Sequence, residues 1–226
     1  MEMLQRFMDI NTICFTLFGY PMSYIEFFGT IFTIWCVWLT TKAKILSWPV
    51  GLIGSFLYVA LFYQIQLYAD LLEQMYFIVT GFLGWVVWSR MKKQTSVEKT
   101  SQHMTILNKK ERFLSLVFLL GGTAILSYAT MHFHVWFPQI FSEPVSLPVL
   151  DAGTTIMSFL AQWLLVRKKL ESWILWILVD AIGIGLYWYK GVKFISLEYV
   201  LFFFLAVFGF WQWNKIMNSK KYDQTT

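Results

Sequence analysis

The chain is poor in charge, cysteine and histidine. Of its 226 residues, 14% are Asp, Glu, Lys or Arg, whereas 58% are hydrophobic and 20% are aromatic. An ordinary soluble domain has about 25% charged residues, so this composition excludes a protein that folds in water. Cys14 and Cys36 fit no redox or metal spacing, and His132 and His134 lack further ligands for zinc. We expect no metal and no cofactor.

Features of ATP-driven proteins and of enzymes are also missing from the sequence. There is no Gly-rich phosphate-binding loop and no nucleotide-binding domain, so we do not expect an ATP-driven process. There is no cluster of acids, bases or metal ligands of the kind that catalysis needs, and we interpret the protein as a non-enzyme. The net charge of +5 arises in loops beside apolar runs and indicates membrane topology rather than nucleic-acid binding.

Long apolar runs dominate what is present. Each run is close to the roughly 20 residues that a helix needs to cross the hydrocarbon core of a bilayer. They cover residues 25–41, 47–64, 69–88, 113–130, 150–166, 173–189 and 196–213. A β-barrel would instead show segments of about 10 residues that alternate between apolar and polar. The sequence therefore predicts an all-α membrane protein with seven transmembrane helices.

The chain contains an internal repeat at an offset of 125 residues. Without a gap, residues 35–88 are identical to residues 160–213 at 11 of 54 positions. The identical pairs include tryptophans, a lysine and a glutamate: Trp38 and Trp163, Trp48 and Trp173, Trp88 and Trp213, Lys44 and Lys169, Glu73 and Glu198. Such a repeat indicates two related halves, which in many membrane proteins hold a ligand between them.

Basic residues predict the orientation of the helices, because short cytoplasmic loops collect Lys and Arg. Of the 18 basic residues, 15 follow predicted helices 1, 3, 5 and 7, and only Arg6, Lys190 and Lys193 lie on the other side. We therefore expect the N-terminus outside and the C-terminus in the cytoplasm. Since helices 1 and 5 then run in the same direction, helix 4 is an inverting linker. The result is a 3+1+3 arrangement of two parallel repeats, as in SWEET-type transporters.

These features divide the chain into seven regions. They are an N-terminal surface segment (1–20), a first three-helix repeat (21–90), a cytoplasmic loop (91–112), a linker helix (113–133), an external loop (134–149), a second three-helix repeat (150–215) and a cytoplasmic tail (216–226). The surface segment carries Glu2, Arg6 and Asp9 among apolar residues. This pattern favours a short amphipathic helix on the outer surface over a cleavable signal.

Polar side chains at mid-membrane depth mark a candidate site, because a charge there is costly and needs a reason. Asp180 lies near the centre of predicted helix 6 and is the clearest example. Serine and threonine at similar depth can instead bond to the carbonyl of the preceding turn. Glu73 and Glu198, which are equivalent in the repeat, can attract a cation or stay hydrated at the interface, and both alternatives stay open.

Tryptophans near the cytoplasmic helix ends allow two interpretations. The residues concerned are Trp48, Trp88, Trp173 and Trp213. They can form an aromatic belt at the membrane interface, which needs no further function. Alternatively, some of them turn inward and stack on a flat, positively charged ligand.

Short motifs follow one another in a specific order in both halves. The first half contains Gln64-Ile65-Gln66-Leu67-Tyr68-Ala69, Leu71-Leu72, Gln74, Gly84-Trp85 and Trp88-Ser89-Arg90. The second half contains Arg167-Lys168, Glu171, Trp173, Trp176, Gly191-Val192 and Ser196-Leu197-Glu198-Tyr199. Each motif is weak alone, but their joint order resembles the PnuC family of nicotinamide riboside transporters. The resemblance covers nearly the whole chain apart from the linker and the tails.

The resemblance implies uptake of nicotinamide riboside across the inner membrane of a bacterium. It also implies a homotrimer with one pathway per subunit, and uptake driven by cytosolic phosphorylation of the substrate by a riboside kinase. From the motifs it assigns substrate binding to Gln74, Trp85, Trp88, Trp173, Trp176, Glu198 and Tyr199. We add Asp180 on its depth alone. A flat pyridinium cation suits tryptophan faces and a carboxylate, and a ribose suits hydroxyl, amide and carboxylate groups.

With no motor domain, we expect facilitated diffusion by alternating access, in which the two halves rock about a central site. Coupling to protons through Asp180 stays open. The competing hypotheses are a SWEET-type transporter of a sugar or of another vitamin such as thiamine. Outside transport, the alternative is an integral-membrane enzyme or receptor.

Overall fold

The computed structural model describes residues 6–17, 19–65, 68–98, 104–137, 139, 147–189, 191 and 193–223. Seven long helices make up most of these residues. They are α1 (Tyr24–Thr41), α2 (Ser47–Gln64), α3 (Tyr68–Glu98), α4 (Lys109–Trp136), α5 (Pro148–Val166), α6 (Glu171–Tyr189) and α7 (Lys193–Asp223). Each of them contains most or all of one predicted apolar run, so the helix positions follow from the local sequence.

Within the described residues, six of these helices are long and apolar enough to cross a membrane. The helix outside this set is α2, which has 18 residues and carries Ser47 and Gln64 at its ends. The prediction of a helical membrane protein is therefore confirmed. Of the seven predicted spans, six meet the requirements of length and hydropathy.

Two tight turns, one in each half, share an unusual backbone conformation. Ala43 follows α1 with a φ of 50°, and Lys168 follows α5 with a φ of 53°. In the described chain, these are the two non-glycine residues with positive φ, and the 125-residue offset relates them. A single residue in this conformation reverses the chain sharply. As a result, α2 and α6 each begin directly beside the helix that precedes them.

The two halves meet through equivalent pairs of helices. Helix α1 packs against α7, and α3 packs against α5. The 125-residue offset relates α1 to α5 and α3 to α7. The contact of α1 with α7 is therefore the repeat equivalent of the contact of α5 with α3. Within each half the middle helix packs against both of its neighbours, and α4 packs against α5. The six repeat helices therefore surround a common axis between the halves.

A buried core of four tryptophans lies at one end of this axis, called here the tryptophan end: Trp48, Trp88, Trp173 and Trp213. The ring centroids of Trp48 and Trp88 are 5.2 Å apart, and those of Trp173 and Trp213 are 5.6 Å apart, both in edge-to-face contact. Trp88 Nε1 donates to the Val166 carbonyl at 3.0 Å, and Trp213 Nε1 donates to the Thr40 carbonyl at 3.1 Å. Because all four side chains are buried, they do not form an interfacial belt.

The N-terminal segment is helical at residues 6–8, where a surface helix was predicted, but its second part forms a hairpin. Ile13–Leu17 (β1) and Tyr20–Ser23 (β2) pair as antiparallel strands, and Gly19 in the turn has a φ of 84°. Aromatic and aliphatic residues beside a turn glycine favour a hairpin over a helix. Gln64 Nε2, at the end of α2, donates to the Met8 carbonyl at 2.7 Å. Since Trp48 lies at the start of α2, the hairpin is at the opposite end of the bundle, called here the hairpin end.

Helices α3 and α4 take up parts of the predicted loops. The cytoplasmic loop was expected at 91–112, but α3 continues to Glu98 and α4 begins at Lys109. Similarly, α4 continues to Trp136, inside the expected external loop at 134–149. Asn108 and Glu111 form a capping box that fixes the start of α4. Parts of the predicted regions lie outside the described residues, namely 1–5, 99–103, 140–146 and 224–226, as do Gln66, Leu67 and Val192 of the motifs.

Candidate functional site

A cavity of about 540 Å³ lies between the two halves. Its walls come from α1, α2 and α3 of the first half and from α5, α6 and α7 of the second. None of its described lining residues belongs to α4. The cavity extends from Tyr20 and Pro21 of the hairpin to Trp173 of the tryptophan core. It therefore occupies the position between two repeats where membrane transporters bind their substrates.

The lining of this cavity is acidic. Five carboxylates from four helices reach it, and none of its described lining residues is Lys, Arg or His: Glu26, Asp70, Glu73, Asp180 and Glu198. Charges of one sign in a low-dielectric cleft focus their field and attract ions of the opposite sign. The cavity is therefore suited to a cation and unsuited to an anion.

Glu198 is held in place where α7 of the second half crosses α1 of the first. Thr30 Oγ1 on α1 donates to Glu198 Oε1 at 2.7 Å, and lies 3.0 Å from the Tyr58 hydroxyl on α2. On the other side of the axis, the equivalent Glu73 on α3 lies beside Ser158 on α5. Each glutamate thus faces a hydroxyl of the other half, and these polar contacts connect the halves across the cavity.

The hairpin contributes a further polar contact at its end of the cavity. The Tyr20 hydroxyl donates to Glu26 Oε1 at 2.7 Å. Burial and the neighbouring Glu26 carboxylate raise the pKa of Tyr20, so this hydroxyl stays protonated and remains a donor. The N-terminal segment, which lies outside the repeat, therefore helps to build the cavity.

One face of α6 combines aromatic rings with a carboxylate. Trp173, Trp176, Asp180 and Tyr187 all line the cavity, at the spacing that places residues on one side of a helix. The Asp180 side chain is 5% exposed, and no hydrogen bond or ion pair among the described residues involves it. A buried carboxylate without a partner is unfavourable in its charged form unless a ligand supplies the opposite charge; otherwise it takes up a proton. We regard Asp180 and the adjacent Trp176 ring as the centre of the candidate site.

The sequence model of the nicotinamide mononucleotide transporter family matches residues 23–215. This range includes helices α1 to α6 and most of α7. The chain belongs to this family. Its relatives include the nicotinamide riboside transporter PnuC of Escherichia coli (strain K12), with 31% identity over 209 residues that cover 86% of this chain and 87% of the relative. The PnuC resemblance read from the motifs is thereby confirmed, and the protein is a multi-pass membrane protein of a bacterial transporter family.

The relatives of this chain also include a transporter named for a different vitamin. The riboflavin/roseoflavin transporter RibM of Streptomyces davaonensis is 21% identical over 204 residues, covering 90% of this chain and 91% of RibM. Among solved structures, the crystal structure of the vitamin B3 transporter PnuC superimposes with a TM-score of 0.64. It covers 87% of this chain and 83% of that chain at 23% identity, and so shows a shared fold.

Six of the eight site residues predicted from the sequence line the cavity of this family member: Gln74, Trp173, Trp176, Asp180, Glu198 and Tyr199. The structure does not bring Trp85 and Trp88 to it. Trp88 is fully buried in the tryptophan core, and Trp85 is 41% exposed on the outer side of α3. Both lie more than ten residues beyond Gln74, about 16 Å or more along the helix. On α3 the last residue that lines the cavity is Phe77, so at the tryptophan end the cavity is lined from the core by Trp173 and not by Trp88.

Several lining residues were not predicted as site residues. They are Tyr20, Glu26, Tyr58, Asp70, Glu73 and Tyr187. Glu26 and Asp70 lie in the first turns of α1 and α3, where an acidic residue stabilises the helix dipole without any further role. The two tyrosines on α2 and α6, Tyr58 and Tyr187, lie in largely apolar runs where no pattern sets them apart. The one available signal was the repeat, which pairs Glu73 with Glu198.

Proposed function

We propose that this protein transports nicotinamide riboside by facilitated diffusion with alternating access. The observation that carries the proposal is the cavity between the halves, which combines carboxylates and aromatic rings and has no basic residue among its described lining residues. Nicotinamide riboside is a permanent cation with a flat ring and a hydroxylated sugar. The family membership and the relative named as a nicotinamide riboside transporter support the same substrate.

The chemistry of the cavity suggests an orientation for the riboside. The pyridinium ring lies against Trp176 and Tyr199, with its charge near Asp180. Aromatic faces attract cations, and a desolvated carboxylate adds a direct electrostatic attraction. The ribose hydroxyls then donate to the glutamates that connect the halves, Glu73 and Glu198, and accept from the amide of Gln74. In this orientation Asp180 acts on the charge of the substrate, and Glu73 and Glu198 act on its hydroxyls.

The path through the membrane follows from a 3+1+3 arrangement of two parallel repeats. The equivalent helix contacts, the equivalent turns at Ala43 and Lys168, and the paired indole bonds to Val166 and Thr40 support this arrangement. Rocking of the halves would break the indole bonds at the tryptophan end and open the cavity there. The basic turns after α1 and α5 support a tryptophan end on the cytoplasmic side, with the N-terminus outside and the C-terminus inside.

The remaining elements of the proposal concern the cell and the assembly. Phosphorylation of the riboside by a cytosolic kinase would trap it inside a bacterium and sustain net uptake through the inner membrane. Helix α4 has buried Ser127 but exposes most of its large apolar residues, so its outer face is free to contact lipid or other subunits of a homotrimer. No reaction is assigned to the protein itself.

The riboflavin transporter among the relatives supports a second candidate, transport of another vitamin. Binding calorimetry on the purified protein separates the candidates. We expect micromolar or tighter binding of nicotinamide riboside and no measurable heat with ribose. Thiamine, which is also a cation, is the most informative competitor. Stronger binding of riboflavin or thiamine than of the riboside would reassign the substrate, and saturable binding of free ribose would support a sugar transporter instead.

Purified protein in liposomes without a kinase is expected to equilibrate nicotinamide riboside across the membrane without accumulating it. The reason is that the sequence shows no nucleotide-binding motif that would couple transport to ATP hydrolysis. Because the riboside is a cation, the membrane potential is held at zero; uptake of labelled riboside should then reach the external concentration and stop, both with and without an imposed proton gradient. Protein-free liposomes give the background. Sustained accumulation under a proton gradient would contradict this prediction and make Asp180 a candidate proton carrier.

Replacement of Trp176 is expected to weaken riboside binding in two steps. Trp176→Phe keeps part of the aromatic face, whereas Trp176→Ala removes it, at a cost of about 1 to 2 kcal/mol or roughly five- to thirtyfold in Kd. Trp85→Ala provides the control, because Trp85 lies on α3 outside the cavity and should leave Kd unchanged within twofold. Calorimetry measures both series. Equal effects at the two positions would mean that the loss is structural and that Trp176 does not contact the substrate.

A further inference from the structure

Gly183 lies at a close contact between α6 and a ring of the candidate site, that of Tyr199. A methyl group on its Cα would overlap Cδ1 and Cε1 of Tyr199 on α7 and would lie 2.8 Å from Cγ. Carbon atoms in contact are normally about 3.5 to 4.0 Å apart. Only a residue without a side chain allows the Tyr199 ring to lie directly against the backbone of α6.

The Tyr199 ring is part of a continuous wall of the cavity. Its other neighbour on α6 is Tyr187, one helical turn after Gly183, and the two rings stack with centroids 5.3 Å apart and planes at 18°. Asp180 lies one turn before Gly183 on the same side of α6. Tyr187, Tyr199 and Asp180 all line the cavity. The position of Gly183 therefore decides how far the Tyr199 ring stands from Asp180.

We propose that Gly183 is a positioning residue that sets the width of the slot for the flat cationic ring, by seating Tyr199 against α6. This inference rests on the proposed function, since it concerns the same site and the same class of substrate. A side chain at position 183 forces the Tyr199 ring away from α6 and into the cavity. The displaced ring then takes up the space beside Trp176 and Asp180 in which the pyridinium ring would lie against Tyr199.

Two other glycines provide matched controls for this proposal. Gly185 is in the same helix, and a methyl group there would meet nothing within 4 Å. Gly84 on α3 seats the Trp48 ring as tightly as Gly183 seats Tyr199, but Trp48 does not line the cavity. Gly185→Ala thus reports the effect of helix propensity alone. Gly84→Ala reports the effect of a tight ring contact that lies away from the substrate.

The test compares Gly183→Ala, Tyr199→Val and the double variant of the full-length purified protein. Gly183→Ala should weaken riboside binding at least tenfold, whereas Gly185→Ala and Gly84→Ala should stay within twofold of the wild type. Tyr199→Val removes the ring, so the double variant should bind like Tyr199→Val alone. A purely structural effect of Gly183 would not disappear in this way, because independent losses add. Calorimetry measures affinity, and thermal unfolding without ligand measures packing in the wild type, Gly183→Ala, Tyr199→Val and the double variant.

The outcomes separate this proposal from the proposed function. In one outcome, the Tm changes of the two substitutions are not additive and the wild type binds no riboside. The contact between Gly183 and Tyr199 would then be correct, but the proposed substrate and the binding slot for its ring would be wrong. If the wild type binds and Gly183→Ala binds equally well, or if the two substitutions add, the positioning role is wrong. Should Gly183→Ala not fold, the double variant decides: folding with the affinity of Tyr199→Val supports the proposal, and failure to fold overturns it.

Discussion

Nicotinamide mononucleotide is expected to bind this protein at least a hundredfold more weakly than nicotinamide riboside. The phosphate adds nearly two negative charges, and the cavity offers it five carboxylates and, among its described lining residues, no Lys, Arg or His. Two unit charges about 7 Å apart repel by about 2 kcal/mol at an effective dielectric constant of 20. A hundredfold difference corresponds to about 2.7 kcal/mol, which a few such pairs readily supply. Calorimetry of both ligands at one pH and one ionic strength measures the ratio.

A charge-neutral variant tests whether the carboxylates cause this discrimination. Glu198→Gln keeps the size of the side chain and its contact with Thr30, but removes one negative charge. It should narrow the difference between the riboside and the mononucleotide severalfold, mainly by strengthening mononucleotide binding. Comparable affinity of the wild type for the two ligands would contradict the prediction and would mean that the phosphate lies outside the cavity. The family's description as mononucleotide transporters would then apply to this chain.

Asp180→Asn is expected to weaken binding of the cationic riboside at least tenfold. The substitution preserves shape and removes the one lining charge that is buried without a described partner. Measured coupling energies of close, desolvated charge pairs are about 1.5 kcal/mol or more. The reduced 1,4-dihydro form of the riboside has the same shape and a neutral ring. Its affinity should change by less than twofold, so the ratio of the two Kd values isolates the contribution of charge.

The control for this prediction is Asp151→Asn. Asp151 is in the first turn of α5 and does not line the cavity, so its neutralisation should leave the affinity for both ligands unchanged. An equal loss of the oxidised and reduced ribosides in Asp180→Asn would show that Asp180 contributes a hydrogen bond or a shape, and not an attraction to the ring. An unchanged affinity for both would remove Asp180 from the site.

The membrane helices and the family could be predicted from the sequence, because both depend on information that is local in the chain. A run of apolar residues forms a helix in a bilayer whatever its neighbours are, since its backbone polar groups must be satisfied within the segment. Asp180 could be placed in the site for the same reason: its depth in α6 follows from counting residues. The motifs around Gln74 and Glu198 gave the family, which the comparison with known relatives confirmed.

The direction in which each side chain points could not be predicted so well. In α3, Trp85 and Trp88 occur in one motif, yet Trp88 is buried in the core and Trp85 is exposed. A helix that is apolar on every side has no hydrophobic stripe to show which side faces the protein. The four tryptophans at the helix ends were ambiguous for the same reason, since lipid and protein interior are equally apolar solvents for an indole ring.

The sequence by itself determined that this protein is a helical membrane protein of a known transporter family with a charge at mid-membrane depth. Only the tertiary structure decided which side chains share one cavity. Glu26, Asp70, Glu73, Asp180 and Glu198 come together from four helices, and the hairpin adds Tyr20 to Glu26. The physical reason is that the formation of a helix depends on residues that are neighbours along the chain. The shape and lining of a cavity depend instead on how helices that are distant in the sequence pack and rotate against each other.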